Sequence, residues 1–516
     1  MPRGSSQTRT QKEVPIAILQ WLGMQSNAPT TAIPVNAFSY VLNFDYITEH
    51  EVSSRKGTTE WMGNTTTGSV AIIGGYEFSR RADTASRIMF VTSTGKLYRV
   101  SSLLSGQTPT FIGNLTTSTT LTKAFFATFK GKLYIADGTA GWEYDPDTDT
   151  VTQVTFPSDY TGKIICVLAR DSSLQWWADT GETILSSVNE ATEYETGTAW
   201  RGFVGSGDEM DAVMMLKWLQ TVVFIKRDNK TRKTAMYKMT GYSEANFRID
   251  PMYSGEFKST GFIGRSPADL GNDIIGLTQD GFSSISAIDT FNETTISNFS
   301  KDVDDYIRRI NFSQYDLITA IYNTNTRQYM AACPIDSANT NNIIFIYHAE
   351  SRRWGLYDNW DVRCFFTVAG TVFFGTSDGR LVQTGVGEND EGNGFSKIIE
   401  GPDWHFDSPD TLKLFKTLNL DLAQDGEYDI NFTPIINGNY LNATTIPLTL
   451  KPGGVWDEFV WDVDPWDTPL EINREIYLLA RGRTLRYRLF NDQPDEPFSL
   501  RSVTARSFIT DAGSVS

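Results

Sequence analysis

The sequence predicts an all-β protein built around a β-propeller of about six or seven blades. Three observations predict it. Short runs of alternating apolar residues recur from about residue 68 to 385, separated by clusters of Gly, Asp, Asn, Ser and Thr. Runs of this kind read as brief, half-buried strands. The tetrapeptide Gly-Lys-Leu-Tyr occurs twice, at 95–98 and 131–134, at the same place in two hairpins. Glycine suits both turns because it reaches positive φ without a Cβ clash. Finally, the hairpins form similar units that look like whole sheets, and at roughly 40–50 residues per unit they fill the span as blades. The spacing is irregular and no Gly-His…Trp-Asp signature is present, so these are not WD40 repeats.

Taken in order, residues 1 to about 13 read as a basic arm, disordered or ordered by a partner. The apolar run Val14–Leu22 is interrupted by Pro15 and Gln20 and lacks a small-residue cleavage site, which argues against a signal peptide. No run of 18 apolar residues occurs, so no membrane span is expected. The stretch to residue 67 is extended and irregular. Pro29 and Pro34 oppose a long helix there, while Asn36–Asp45 could form one short helix.

The propeller is expected over 68–385. Its hairpins include Arg87–Val100, Ala124–Ala136, Trp142–Val154, Asp273–Ile285, Ile343–Tyr357 and Cys364–Gly375. One helix is expected between blades, Phe299–Ile310, capped by Ser300 and carrying Val303, Tyr306, Ile307 and Ile310 on one face. Residues 386–400 read as a linker. Residues 401–516 read as a separate β-sandwich-like domain, in which Leu418, Leu420 and Leu422 alternate with polar residues and Asn437-Gly438 marks a hairpin turn.

Composition narrows the function. The formal net charge is -17 and the pI about 4.8, so the surface as a whole repels phosphate backbones. Cys166, Cys333 and Cys364 are far apart and form no C-x-x-C pair, which points to buried free thiols rather than zinc or disulfides.

Asp145, Asp147 and Asp149 alternate as at the start of a calcium loop, but Thr150 and Phe156 stand where an EF-hand needs Gly and Glu, so an acidic turn is expected. His50, His348 and His405 lie in unrelated contexts. Gly375-Thr-Ser-Asp-Gly matches the nucleophile elbow in letters, but a strand follows where the elbow requires a helix. The pairs Asp462/Asp464 and Asp304/Asp305 could in principle serve glycoside cleavage, and Trp176, Trp177 and Trp200 could be core or a ligand platform. The densest basic cluster is Arg481, Arg483, Arg486 and Arg488. It reads as a solvated strand face or as a docking patch for an acidic neighbour, with Arg486 and Arg488 opposite Leu485, Tyr487 and Leu489. No catalytic residue, metal site or cofactor is expected, and the chain does not read as an enzyme.

An ordered series of segments resembles one family. Gly23-Met-Gln-Ser-Asn-Ala-Pro, Ile33-Pro, Val41-Leu-Asn-Phe-Asp and Arg55-Lys-Gly come first. Glu182–Tyr194, Asp211–Leu216, Thr221–Lys226, Ile274–Phe282, Arg327–Pro334 and the hairpin at 343–357 with Trp354 follow. Over about residues 20–385 this order is similar to that of the nozzle, or packaged-DNA-stabilisation, proteins of short-tailed bacteriophage tails.

The resemblance implies a propeller-bearing subunit of a homo-oligomeric ring, commonly a hexamer, below the portal and adaptor proteins. Such a ring extends the DNA channel, helps retain the genome and holds tail fibres or a needle or plug. It implies a place in the virion tail after assembly in the host cytoplasm, with DNA passing through without sequence-specific binding. An acidic lumen would let DNA slide. The alternatives are a carbohydrate-binding or carbohydrate-cleaving propeller and a cellular interaction scaffold.

Overall fold

A computed structural model describes residues 13–63, 67–81, 83, 86–101, 106–116, 121–170, 172–205, 210–228, 234–252, 261–271, 273–288, 293–406, 409–423, 428–441, 443–450 and 471–509. The expected arm at 1–12 and the pair Asp462/Asp464 lie outside them. The chain forms two compact units. A propeller unit holds 58–346 and 359–386, and a sandwich unit holds 1–57, 347–358 and 387–516.

The propeller unit is a succession of antiparallel sheets, each made from consecutive strands. The first blade comprises Ile72–Phe78, Arg87–Thr92, Lys96–Val100 and Thr110–Asn114. The second comprises Phe125–Phe129, Lys132–Ala136, Gly141–Asp145 and Thr150–Gln153. The third comprises Ile164–Arg170, Ser173–Ala178, Glu182–Leu185 and Trp200–Phe203. The fourth comprises Asp211–Trp218, Thr221–Arg227, Thr234–Thr240 and Arg248–Pro251. The fifth comprises Ala268–Asp269, Asp273–Thr278, Gly281–Ile288 and Glu293–Asn298. The sixth is built on Thr319–Asn323, Gln328–Cys333 and the strand beginning at Ile343.

The seventh blade has Cys364–Val368, Thr371–Gly375 and Leu381–Thr384, and its fourth strand comes from far upstream: Thr58–Met62 pairs Leu381–Thr384. This non-local strand closes the ring. It also moves the start of the propeller from the expected residue 68 back to 58, because an isolated five-residue strand carries no hairpin signal of its own.

In most of the blades the first strand lies against the first strand of a neighbouring blade, so the opening strands line the axis, and the seventh meets the first. The repeated Gly-Lys-Leu-Tyr turns behave as expected: Gly95 and Gly131 sit at φ +75 and +77. Between blades the core is aromatic and aliphatic. Trp176, fully buried, meets Tyr134 and Phe156 edge-on and donates its Nε1–H to Tyr194 at 2.9 Å.

The sandwich unit stacks two sheets. One orders Phe44–Tyr46, Val52–Ser54, Ser499–Ile509, Lys413–Ala423 and Glu471–Gly482, with Glu13–Ile18 also paired to Ser499–Ile509. Within the unit the other runs Arg353–Tyr357, Tyr40–Leu42, Lys397–Glu400, Leu485–Asn491, Tyr428–Ile436 and Ile446–Leu450. Leu418, Leu420 and Leu422 point inward and are fully buried, as their alternation predicts. Phe415, Phe406, Trp404 and Tyr487 form an aromatic chain from one sheet to the other.

Three expectations are corrected here. Residues 14–57 belong to the sandwich and supply strands to it rather than an irregular approach to the propeller, and Asn36–Asp45 forms no helix: Asn43, at φ +62, turns the chain between two short strands. Residues 386–400 are not a linker, since Lys397–Glu400 is a central strand holding Tyr40–Leu42 on one side and Leu485–Asn491 on the other. The expected helix at 299–310 shrinks to a 3-10 turn, Lys301–Val303, and one helical turn, Asp304–Ile307. Ser300 does not cap it. Its hydroxyl accepts the Phe282 N–H at 2.8 Å and donates to Asn298, so it fastens the fifth blade instead.

The sandwich unit is knotted at Arg55. Its guanidinium makes a two-pronged ion pair with Asp390 at 2.9 and 2.6 Å, donates Nε–H to Asn43 at 2.9 Å, and lies 3.8 Å from the centre of the Phe395 ring. Nearby, Gly57 donates to the Gly387 carbonyl at 2.9 Å, and a Cβ on Gly57 would fall 1.8 Å from the Asn389 carbonyl oxygen. Only glycine fits that approach.

Candidate functional site

The predicted arginine cluster does not form one surface. Arg481 and Arg483 are exposed, Arg488 is half-buried against Phe490, and Arg486 is buried. As the alternation predicts, Leu485, Tyr487 and Leu489 fill the core. Arg486 is nevertheless covered by the segments around Thr30, Glu400–Asp403 and Tyr440. It donates to Glu400 at 2.8 Å, Asp403 at 2.5 Å, Thr30 at 2.7 Å and Tyr440 at 2.7 Å. Burial by itself would lower its pKa, but the hydrogen bonds to Asp403 and Glu400 outweigh that and hold it above its ordinary value. A side chain so engaged is structural and is not offered to a partner.

The other candidates resolve individually. Asp145, Asp147 and Asp149 each face a different cation, Lys132 at 3.1 Å, Arg80 at 2.6 Å and Arg99 at 2.6 Å, so the turn is an ion-paired hairpin end. Ser377 of the elbow-like pentapeptide donates to Asp361 within a hairpin. Asp304 and Asp305 pair with Arg308. Trp176 and Trp177 lie in the core and present no ring face to a ligand. His348 is buried beside Asp45, 3.5 Å away, and burial pushes its pKa down. Cys166, Cys333 and Cys364 are free and buried. Among the described residues no group of three or more His, Cys, Asp or Glu could hold a metal ion, and no helix is long and apolar enough to cross a membrane.

A cleft of about 520 Å³ opens in the propeller unit. Lys123 and Lys163 stand just before the inner strands of the second and third blades, and Asp211 begins that of the fourth. Arg227, the cross-strand partner of Asp211, also lines it, with Tyr315 and Asp316. Lys123 reaches over to donate to the Val213 carbonyl at 2.9 Å, and burial lowers its pKa to about 8.

Two aspartates of the cleft are already in use. Asp137 accepts from the N–H and hydroxyl of Thr139, the Ala140 N–H and the Trp142 indole, and Asp179 accepts from the Lys163 N–H. Deeper in the unit Arg265, ahead of the fifth blade, donates to the Ile73 carbonyl of the first blade at 3.0 Å and to the Arg363 carbonyl before the seventh at 2.9 Å. Burial lowers its pKa. The cleft therefore offers mixed charge for a small polar solute, with no histidine and no nucleophile beside a base.

Sequence reasoning missed this arrangement, although a signal exists. A cation stands one to three residues ahead of the inner strand in four blades, as Lys123, Lys163, Arg265 and Arg363. The pattern is visible only once the inner strand of each blade is known.

No family model and no curated protein matches the chain. Its fold is similar to that of several solved structures. YCF48 from Cyanidioschyzon merolae has a TM-score of 0.44 at 10% identity, covering 61% of this chain and 96% of that one. BBS1N in complex with ARL6DN has 0.42 at 10%, covering 64% and 97%. The extracellular domain of the putative one-component system BT4673 from B. thetaiotaomicron has 0.46 at 11%, covering 85% and 61%. The chain itself is an all-β protein with a β-propeller and a β-sandwich-like domain.

Proposed function

We propose that this chain is a non-catalytic, ring-forming subunit of a bacteriophage tail, a nozzle that extends the DNA channel, helps retain the genome and carries other tail parts. The observation that carries the reading is apolar exposure in the sandwich unit. Leu19 is 64% exposed and Ile47 62%, on segments tied together by the Trp21 N–H to Glu49 carbonyl bond and by His50 Nδ1 at 2.7 Å from the Leu19 carbonyl. Leu22 and Val35 are exposed beside them. Apolar side chains exposed on neighbouring segments suit a face that meets another subunit.

The family-like segments support it further, because one of them carries the architecture: in Arg55-Lys-Gly, Arg55 and Gly57 form the knot of the sandwich unit. The acidic composition suits a wall along which DNA slides. Portal, adaptor and fibre or plug proteins would be the partners, and the virion tail the location. Electron micrographs and mass measurement of the purified protein test the reading. A closed ring is expected, commonly six-fold, together with incorporation into virions. A protein that stays monomeric at every concentration and is absent from virions overturns it.

A further inference from the structure

The sandwich unit is polar along one of its strands. Leu485–Asn491 spans seven residues, about 23 Å at ~3.3 Å per residue. At its start stand Arg481 and Arg483, both exposed and without an acidic partner among the described residues. The same end gathers apolar side chains. Leu441 is 97% exposed, on the turn whose Asn437 accepts the Arg483 and Thr484 N–H groups at 2.7 and 3.2 Å. Leu412 is exposed beside Lys413, whose Nζ donates to the Arg483 carbonyl at 2.8 Å. Leu479, 69% exposed, lies two residues before Arg481.

The far end of the strand is the opposite in charge and shape. The chain turns there through Asp492-Gln-Pro-Asp-Glu496, with Asp492 and Asp495 exposed. Asn389 donates to Asp495 at 2.7 Å and Asn491 to Glu496 at 2.7 Å, which fixes the turn. Next to it opens a cleft of about 260 Å³ whose lining is mostly polar: Ser53, Ser54, Ser499, Glu51, Glu388, Lys56 and Arg501 surround Ala423, Pro497 and Phe498.

We propose that a second copy of this chain occupies the basic tip. The tip of one copy, with Arg481, Arg483, Leu412 and Leu441, docks on the acidic turn of the next. The occupant follows from charge complementarity: the chain carries -17 overall, and the tip's two arginines meet a turn with three carboxylates. Because the two surfaces lie at opposite ends of one strand, the contact is head-to-tail, and such contacts propagate into rings when the rotation closes. The inference rests on the ring reading above and assigns its lateral interface.

The test uses the full chain in sedimentation velocity and native mass measurement over a concentration series, with thermal melts as the control for folding. Arg481→Glu with Arg483→Glu, and separately Asp492→Lys with Asp495→Lys, are each expected to weaken self-association by about a hundredfold, since like charges then face each other. Mixing the two variants is expected to restore assembly, because each tip then meets a turn of opposite charge. If the wild type assembles and the variants assemble equally well, the interface is overturned while the ring reading stands. Variants that dissociate and do not reassemble when mixed overturn the head-to-tail pairing. A wild type that never associates overturns the ring reading itself.

Discussion

The two units are made of the same material in opposite ways. In the propeller, strands next to each other in sequence are next to each other in space, and the closure by Thr58–Met62 is the long-range step. In the sandwich almost every pairing is distant: Glu13 faces Phe508, Tyr40 faces Glu400, and Arg55 grips Asp390. Loop-closure entropy must be met before such contacts form, so the sandwich depends on a few strong non-local ties where the propeller depends on many local ones. A single broken tie should therefore matter more to the sandwich than to the propeller.

The largest effects should separate the units. Arg55→Ala takes the guanidinium away from the buried Asp390 carboxylate, which costs about 3–5 kcal/mol. Trp176→Ala empties the core between the second and third blades for about 3–5 kcal/mol. Denaturant titration should show Arg55→Ala lowering one transition and Trp176→Ala another. Thiol alkylation supplies the assignment, because Cys166, Cys333 and Cys364 all belong to the propeller unit. Burial raises each thiol's pKa, that of Cys166 to about 12, so the native protein should resist iodoacetamide. Thiols that stay protected in Arg55→Ala and open in Trp176→Ala sustain the comparison. Simultaneous exposure in both variants breaks it.

A smaller effect is expected from Arg265→Met. The Ile73 and Arg363 carbonyls lose their donor, at a cost of about 1–3 kcal/mol. Earlier reactivity of Cys364, next to Arg363, would report that loss; unchanged reactivity and stability would show that water replaces the guanidinium.

The smallest effect is one of pH, and it belongs to the sandwich. His348 is buried among Asp45, Arg353 and Tyr46, and burial, the largest cause, depresses its pKa below the ordinary value of about 6.5. The unfolded chain then binds the proton more readily than the folded one. Stability is full above about pH 6.5 and falls as pH drops through the folded value. His348→Phe should flatten that part of the stability–pH curve, with the thiols of the propeller still protected. A curve unchanged by the substitution removes His348 as its source.

What was legible follows the same division. The Gly95 and Gly131 turns, the hairpins around them and the inward leucines Leu418, Leu420 and Leu422 could be read directly, because each is decided within a few residues by φ preference or by alternation. The arginine cluster shows the limit. Alternation placed Arg486 on the face opposite Tyr487, but whether that face meets water depends on Thr30, Asp403 and Tyr440, which no local pattern connects to it. The helix at 299–310 failed for a related reason. Its cap residue Ser300 is claimed by Phe282 and Asn298 of the blade before it.

By itself, then, the sequence determined the class of fold, the hairpins that make the blades and the free, unpaired state of the thiols, since period, turn chemistry and spacing are local properties. Only the tertiary structure decided that residues 14–57 and 387–400 belong to the sandwich and supply strands to it, that Thr58–Met62 closes the propeller, and which of four arginines face solvent. Those outcomes depend on which distant segments meet, and a strand of three to six residues carries no mark of its partner.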